Sequence, residues 1–244
     1  MRRLVAALLF AWLPACATVV PMQTASVVDR GTMRVGGQLS AAGYCGDLTG
    51  GLLLGLTRCT EYPDGVPLPE LRANGRYGLG SGFDVGLSAQ AQAQVIAPER
   101  IFQFGLTADV KGELLRIPTN GPTHVVSTGL LGGAALSGRF GVPLWAQLEW
   151  GVPVFYGLQF SRWEIALGAS VSQRLVLPRL GNSSLPPVDS VRAGITLGLF
   201  RRNPAAWALQ LSYLADPARF STGAIQLQFG WFFDITFDAK PAGS

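Results

Sequence analysis

From Met33 onward, apolar and polar side chains alternate along this chain with a period of two, the spacing that sends successive side chains to opposite faces of a strand. The last segment is the clearest. Across Ala224 to Phe237, Ile225, Leu227, Phe229, Trp231, Phe233, Ile235 and Phe237 fall on one face, with Gln226, Gln228, Gly230, Asp234 and Thr236 between them. A second case spans two strands. Ala73, Gly75, Tyr77 and Leu79 alternate with Arg72, Asn74, Arg76 and Gly78; after the turn composition Gly80-Ser81-Gly82, Phe83 to Val95 runs back with Phe83, Val85, Leu87, Ala89, Ala91, Ala93 and Val95 opposite Asp84, Ser88, Gln90, Gln92 and Gln94. The same pattern predicts strands over 33–44, 101–115, 124–137, 143–160, 163–176, 188–200 and 206–214, about ten strands in all. Adjacent Leu130 and Leu131 blur the two faces of one strand. Pro153 has no N–H to give to a ladder and predicts a bulge or a boundary inside 143–160.

Composition turns this pattern into a statement about solvent. Charged residues make up 14% of the chain and hydrophobic ones 48%, whereas soluble domains carry about 25% charged residues. Past the N-terminus no run approaches the roughly 18 apolar residues of a membrane-spanning helix. A closed barrel is the remaining way to satisfy every backbone group in lipid. The fold class expected is therefore all-β, a transmembrane antiparallel β-barrel, with one face of each strand toward lipid and the other toward the lumen. With both ends in the periplasm, Gly80–Gly82, Arg116–Pro122, Ser161–Arg162 and Arg201–Ala205 become short periplasmic turns, and the longer connections, beginning with Cys45–Pro67, become extracellular loops. Tyr44, Tyr77, Trp163, Trp207 and Tyr213 near strand ends fit interfacial aromatic girdles. The net charge of +4 is mostly arginine. No stretch clusters Lys and Arg with exposed aromatics as a nucleic-acid surface would, so outer-membrane lipid, and no nucleic acid, is the expected partner.

The start of the chain reads as an address. Arg2 and Arg3 precede an apolar run from Leu4 to Leu13, as in a secretory signal. Leu13-Pro14-Ala15-Cys16 resembles a bacterial lipobox, which implies a signal over 1–15 and lipidation at Cys16; Ala15-Cys16-Ala17 also suits ordinary A-x-A cleavage. Residues 16–32 are then a lipidated N-terminus and linker, 33–237 the barrel, and 238–244 a C-terminal tail. Export places the chain in an oxidising compartment, where Cys45 and Cys59 can pair within the first loop and leave Cys16 as the odd thiol.

The final strand resembles the C-terminal targeting strand of outer-membrane proteins, which ends on an aromatic with apolar residues at alternate positions. Nearly the whole chain is similar to the general class of small bacterial outer-membrane β-barrels. That resemblance implies residence in the outer membrane, assembly by the barrel-assembly machinery through the last strand, and a monomer.

Chemistry is sparse. Barrel lipases and lipid A deacylases share a His-x-Ser pair on one strand face, but His124 and the nearest serine, Ser127, are three residues apart and point to opposite faces. Asp47 and Asp64 lie in the first loop without the histidine of barrel proteases. Cys45 and Cys59 lack a metal-ligand partner set, no glycine run forms a phosphate loop, and no cofactor is implied. The ionisable residues predicted to face inward are Arg34, Arg72, Arg76, Asp84, Asp109, Lys111, Glu149, Glu164, Arg174, Arg192 and Asp234. In so narrow a barrel they would form a charge network that neutralises itself and holds the strands in register. The expected function is non-enzymatic, a structural or loop-display role in the cell envelope. A narrow, anion-preferring pore is the second expectation and a lipid-modifying barrel enzyme the third.

Overall fold

A computed structural model of the chain describes residues 22–45, 68–94, 101–139, 142–177, 188–202, 206–215, 217 and 223–237. These contain ten strands: β1 (Thr32–Cys45), β2 (Leu68–Gly80), β3 (Phe83–Gln94), β4 (Ile101–Ile117), β5 (Thr123–Arg139), β6 (Val142–Gln159), β7 (Trp163–Leu177), β8 (Val188–Arg201), β9 (Ala206–Ala215) and β10 (Gly223–Thr236). Each pairs antiparallel with its sequence neighbours, and β10 returns to β1, so the sheet closes on itself. Closure leaves no strand edge with unpaired backbone groups.

The alternation sorts the two faces as the sequence pattern requires. Leu39, Leu71, Leu87, Phe104, Leu106, Leu130, Leu197, Leu211, Leu227 and Phe233 are exposed on the outer wall, whereas Gln38, Ser40, Gln90, Gln92, Gln103, Gln147, Gln210, Gln226 and Gln228 are buried inside. A water-soluble domain buries its apolar side chains. This molecule inverts the arrangement, so its wall is built for lipid. Leu130 faces out and Leu131 takes a lumen position, which resolves the ambiguous doublet in β5. The doublet Leu114 and Leu115 is exposed on both residues because the β4–β5 register shifts between Glu113 and Leu115.

Pro153 produces neither the expected bulge nor a boundary. β6 runs unbroken past it with the β5–β6 register unchanged on either side, but the ladder omits Gly129 and Leu130 opposite Val152 and Pro153. There the Thr128 hydroxyl donates to the Pro153 carbonyl at 2.9 Å. The predicted turn after β2 is made by Gly80, Ser81 and Gly82, all at positive φ, where two glycines take the left-handed geometry without a Cβ penalty.

The short turns gather at one end, where β1 begins and β10 finishes, and this is the periplasmic end by the rule that loops are longer outside. Residues 22–30, read from sequence as part of a linker, run inside the barrel instead. From Met22 beside Gly230 and Gln38, the segment descends to Arg30, which bridges to Gly78 at the periplasmic rim. Gly31 then donates to the Gly78 carbonyl at 3.1 Å and the chain enters β1. Gly78 is needed for this approach, since a Cβ there would lie 2.1 Å from the Asp29 carbonyl oxygen.

Candidate functional site

The periplasmic half of the lumen is organised around that segment. Its bend at Ala25 and Ser26 presents backbone donors to β7. Glu164, the second residue of β7 and fully buried, accepts from the N–H of Ala25 at 2.6 Å and of Ser26 at 3.1 Å, and its other oxygen accepts from the Ser26 hydroxyl. Arg202 closes the group by donating to Glu164 at 2.7 Å and to the Ser26 oxygen. Across the lumen, Asp84 on β3 accepts from the N–H of Val28 at 2.9 Å. The Lys111 ammonium on β4 donates to the carbonyls of Thr24 at 2.9 Å and Ser26 at 2.8 Å and lies 3.6 Å from Asp84.

These ionised groups are far from bulk water, a situation that is tolerable only when each is paired and its remaining hydrogen-bonding capacity is satisfied. Arg76 meets that need for two carboxylates at once by bridging Asp84 and Asp109, and Gly86 leaves room for its guanidinium. Arg34 and Asp234 pair at the mouth. The small side chains of the segment also matter. Ala25 is fully buried, and a Cβ added to Gly157 would lie 2.6 Å from its methyl carbon. Buried Phe155, Phe200 and Phe232 join Met22, Ala25, Val125, Ala166 and Ala208 in an apolar cluster inside this half of the lumen.

The extracellular half holds the remaining predicted charges. Arg72 pairs with Glu70 at 2.9 Å and donates to Gln90. Arg174 donates to Gln147, and Glu149 accepts from Ser172 at 2.9 Å. Arg192 lies on the neighbouring strand with Ser172 as its register partner. The predicted inward residues thus form two separate groups, with Arg34, Arg76, Asp84, Asp109, Lys111, Glu164 and Asp234 toward the periplasm and Arg72, Glu149, Arg174 and Arg192 above. Between the segment and the wall lies a cavity of about 40 Å³ lined in part by Met22, Gln23, Arg34, Gln38 and Asn74, space for a few water molecules at roughly 10–15 Å³ each.

Several residues of this site escaped the sequence reading. Glu70 is in phase with Arg72, but it lies before Arg72, where the predicted alternation begins. Arg202 was placed in a turn, although it alternates in phase with inward Phe200. Phe232 is the apolar exception among the polar inward positions of β10. The segment 22–30 has no periodicity at all, so its place in the lumen left no signal.

His124 and Ser127 lie on opposite faces. Ser127 is buried in the lumen, while the His124 ring on the outer face shares a 2.7 Å hydrogen bond with the Tyr156 hydroxyl. Among the described residues no three His, Cys, Asp or Glu side chains converge to hold a metal. Trp163 and Trp207 meet edge to face at 5.4 Å, with the Arg201 guanidinium 5.8 Å from the Trp163 ring, an interfacial cluster of the aromatic-girdle kind. Cys16, Cys59, Asp47 and Asp64 lie outside the described residues, as do the side chains of Cys45 and Tyr44.

The closed antiparallel sheet, even strand number, apolar wall and polar interior define the class: this is a transmembrane β-barrel of the bacterial outer-membrane type. No protein-family model matches the chain, and no curated protein matches it. Among solved structures it is similar to an outer-membrane channel from Pseudomonas putida F1, at 9% identity and a TM-score of 0.41 over 88% of this chain and 100% of that one. It is also similar to Neisserial surface protein A, at 9% identity and 0.40 over 85% and 100%. The outer-membrane protease OmpT from Escherichia coli matches at 7% identity and 0.39 over 88% and 100%.

Proposed function

We propose that this protein is a non-enzymatic component of the cell envelope, a monomeric barrel that occupies the outer membrane as a sealed wall and displays its extracellular loops. It is assembled by the barrel-assembly machinery through β10. The observation that carries this reading is the occupied periplasmic half of the lumen. Residues 22–30, with the ionised side chains that hold them, stand across the periplasmic half, and buried glutamines line the wall above. Narrow barrels filled by their own side chains do not conduct, whereas water-filled channels are generally built from more strands.

The charge network belongs to this role. It neutralises itself in the periplasmic half, where Arg34, Arg76, Lys111 and Arg202 meet Asp84, Asp109, Glu164 and Asp234. A second reading, a narrow anion-preferring pore, draws on the upper lumen, where among the described residues Arg72, Arg174 and Arg192 exceed Glu70 and Glu149. Planar-bilayer recording separates the two. The sealed barrel gives no single-channel steps across several folded preparations. Steady anion-selective currents that fall on Arg72→Ala would replace it with the pore.

A further inference from the structure

We propose that the periplasmic half of the lumen is a polypeptide-binding site, held in cis by residues 22–30 and able to take in their place an extended segment with two consecutive small residues. The contacts that seat the segment are directed at backbone. Glu164 takes two successive N–H groups and Asp84 a third, while Lys111 takes the carbonyls of Thr24 and Ser26. Gln210 accepts from the N–H of Gln23 at 3.4 Å. Any polypeptide offers these same groups, so the charges select a peptide chain rather than a particular sequence.

Selectivity enters at the bend. Ala25 is fully buried against Gly157, which has no room for a side chain of its own, and Ser26 Oγ lies between Glu164 and Arg202. The site therefore fits Ala, Ser or Gly at two adjacent positions and tolerates variety at the exposed Asp29 and Arg30. Lumen carboxylates at 0% exposure are costly to strip of partners, which explains why the chain supplies its own occupant. The mouth opens toward the periplasm, where unfolded polypeptide segments are the available ligand of this chemistry.

The test uses the full chain folded in phosphatidylethanolamine and phosphatidylglycerol vesicles, beside a Ser26→Asp variant. That substitution sets a carboxylate against Glu164 and alters no barrel residue. Amide exchange should be slow over residues 22–30 in the parent and at least ~100-fold faster in the variant, with the strands unchanged in both. A fluorescent peptide with the sequence of residues 22–30 should then bind the variant saturably and the parent at least ~10-fold more weakly. Replacing the peptide residues that correspond to Ala25 and Ser26 with tryptophan should abolish binding. If Ser26→Asp does not fold to a heat-modifiable form, Ala25→Trp in the full chain, which overfills the space beside Gly157, takes its place. Three results overturn the proposal: fast exchange of 22–30 in the parent, unchanged protection in the variant, or a released segment with no binding of added peptide.

Discussion

Arg34 and Asp234 are direct register partners across the seam where the last strand meets the first, and they are joined by two parallel hydrogen bonds, Nε to Oδ1 at 2.7 Å and an Nη to Oδ2 at 2.8 Å. A fork of this kind fixes alignment as well as charge, and a one-residue slip in β1 would send Arg34 to the outer face, away from Asp234. The Asp234 side chain is 45% exposed, so the pair contributes about 1 kcal/mol and no more. Arg34→Ala should lower the urea midpoint by that small amount and speed amide exchange in β1 and β10 ahead of the other strands. Joint Arg34→Asp and Asp234→Arg should recover most of the loss. Uniform exchange around the barrel would remove this pair from the seam's support.

Gly157 and Ala25 set a limit on size between wall and segment. Gly157→Val should cost about 1–3 kcal/mol, the usual range for overpacking a filled site. It should also raise exchange at residues 25 and 26. Ala25→Gly in the same chain should return part of both effects. An unchanged denaturation midpoint for Gly157→Val would mean that the segment does not press on β6.

Ser127 is buried in the lumen with its hydroxyl unpartnered in protein contacts. Removing such a group relieves a desolvation cost, so Ser127→Ala should be neutral or stabilising by up to about 1 kcal/mol. It should also leave any background ester hydrolysis untouched. A loss of hydrolysis in Ser127→Ala and His124→Ala alike would revive the enzyme reading.

The proposed anchor has its own measurement. With lipidation at Cys16, the intact mass of the mature chain should carry a diacylglyceryl group, and Cys16→Ser should abolish fatty-acid labelling. A mature chain beginning at Thr18 without lipid would assign the signal to ordinary cleavage instead.

Most of the wall was legible because each strand writes its two solvents into alternate positions. The expected 83–95 and 163–176 differ from β3 and β7 by a single residue at one end. What stayed hidden depends on contacts between distant parts of the chain. Asp84, Lys111 and Glu164 were readable as inward charges, but nothing in their spacing says that they bind the backbone of residues 22–28. Main-chain groups are the same in every sequence, so a site that recognises them leaves no motif. Pro153 was read correctly as a missing donor; the strand continues past it with its register unshifted, and the Pro153 carbonyl still takes a donor, the Thr128 hydroxyl.

The position of the N-terminal segment has a mechanical consequence. Its attachments fall on β3 and β4 through Asp84 and Lys111, and on β7 and the end of β8 through Glu164 and Arg202, which are nearly opposite arcs of a ten-membered ring. A hollow tube yields to side pressure by ovalising, and a tie across its diameter resists that mode. Residues 24–28 are such a tie. Lateral stress from the surrounding bilayer that would flatten the barrel therefore bears on the hydrogen bonds that Glu164, Asp84 and Lys111 make to this segment as well as on the ladder.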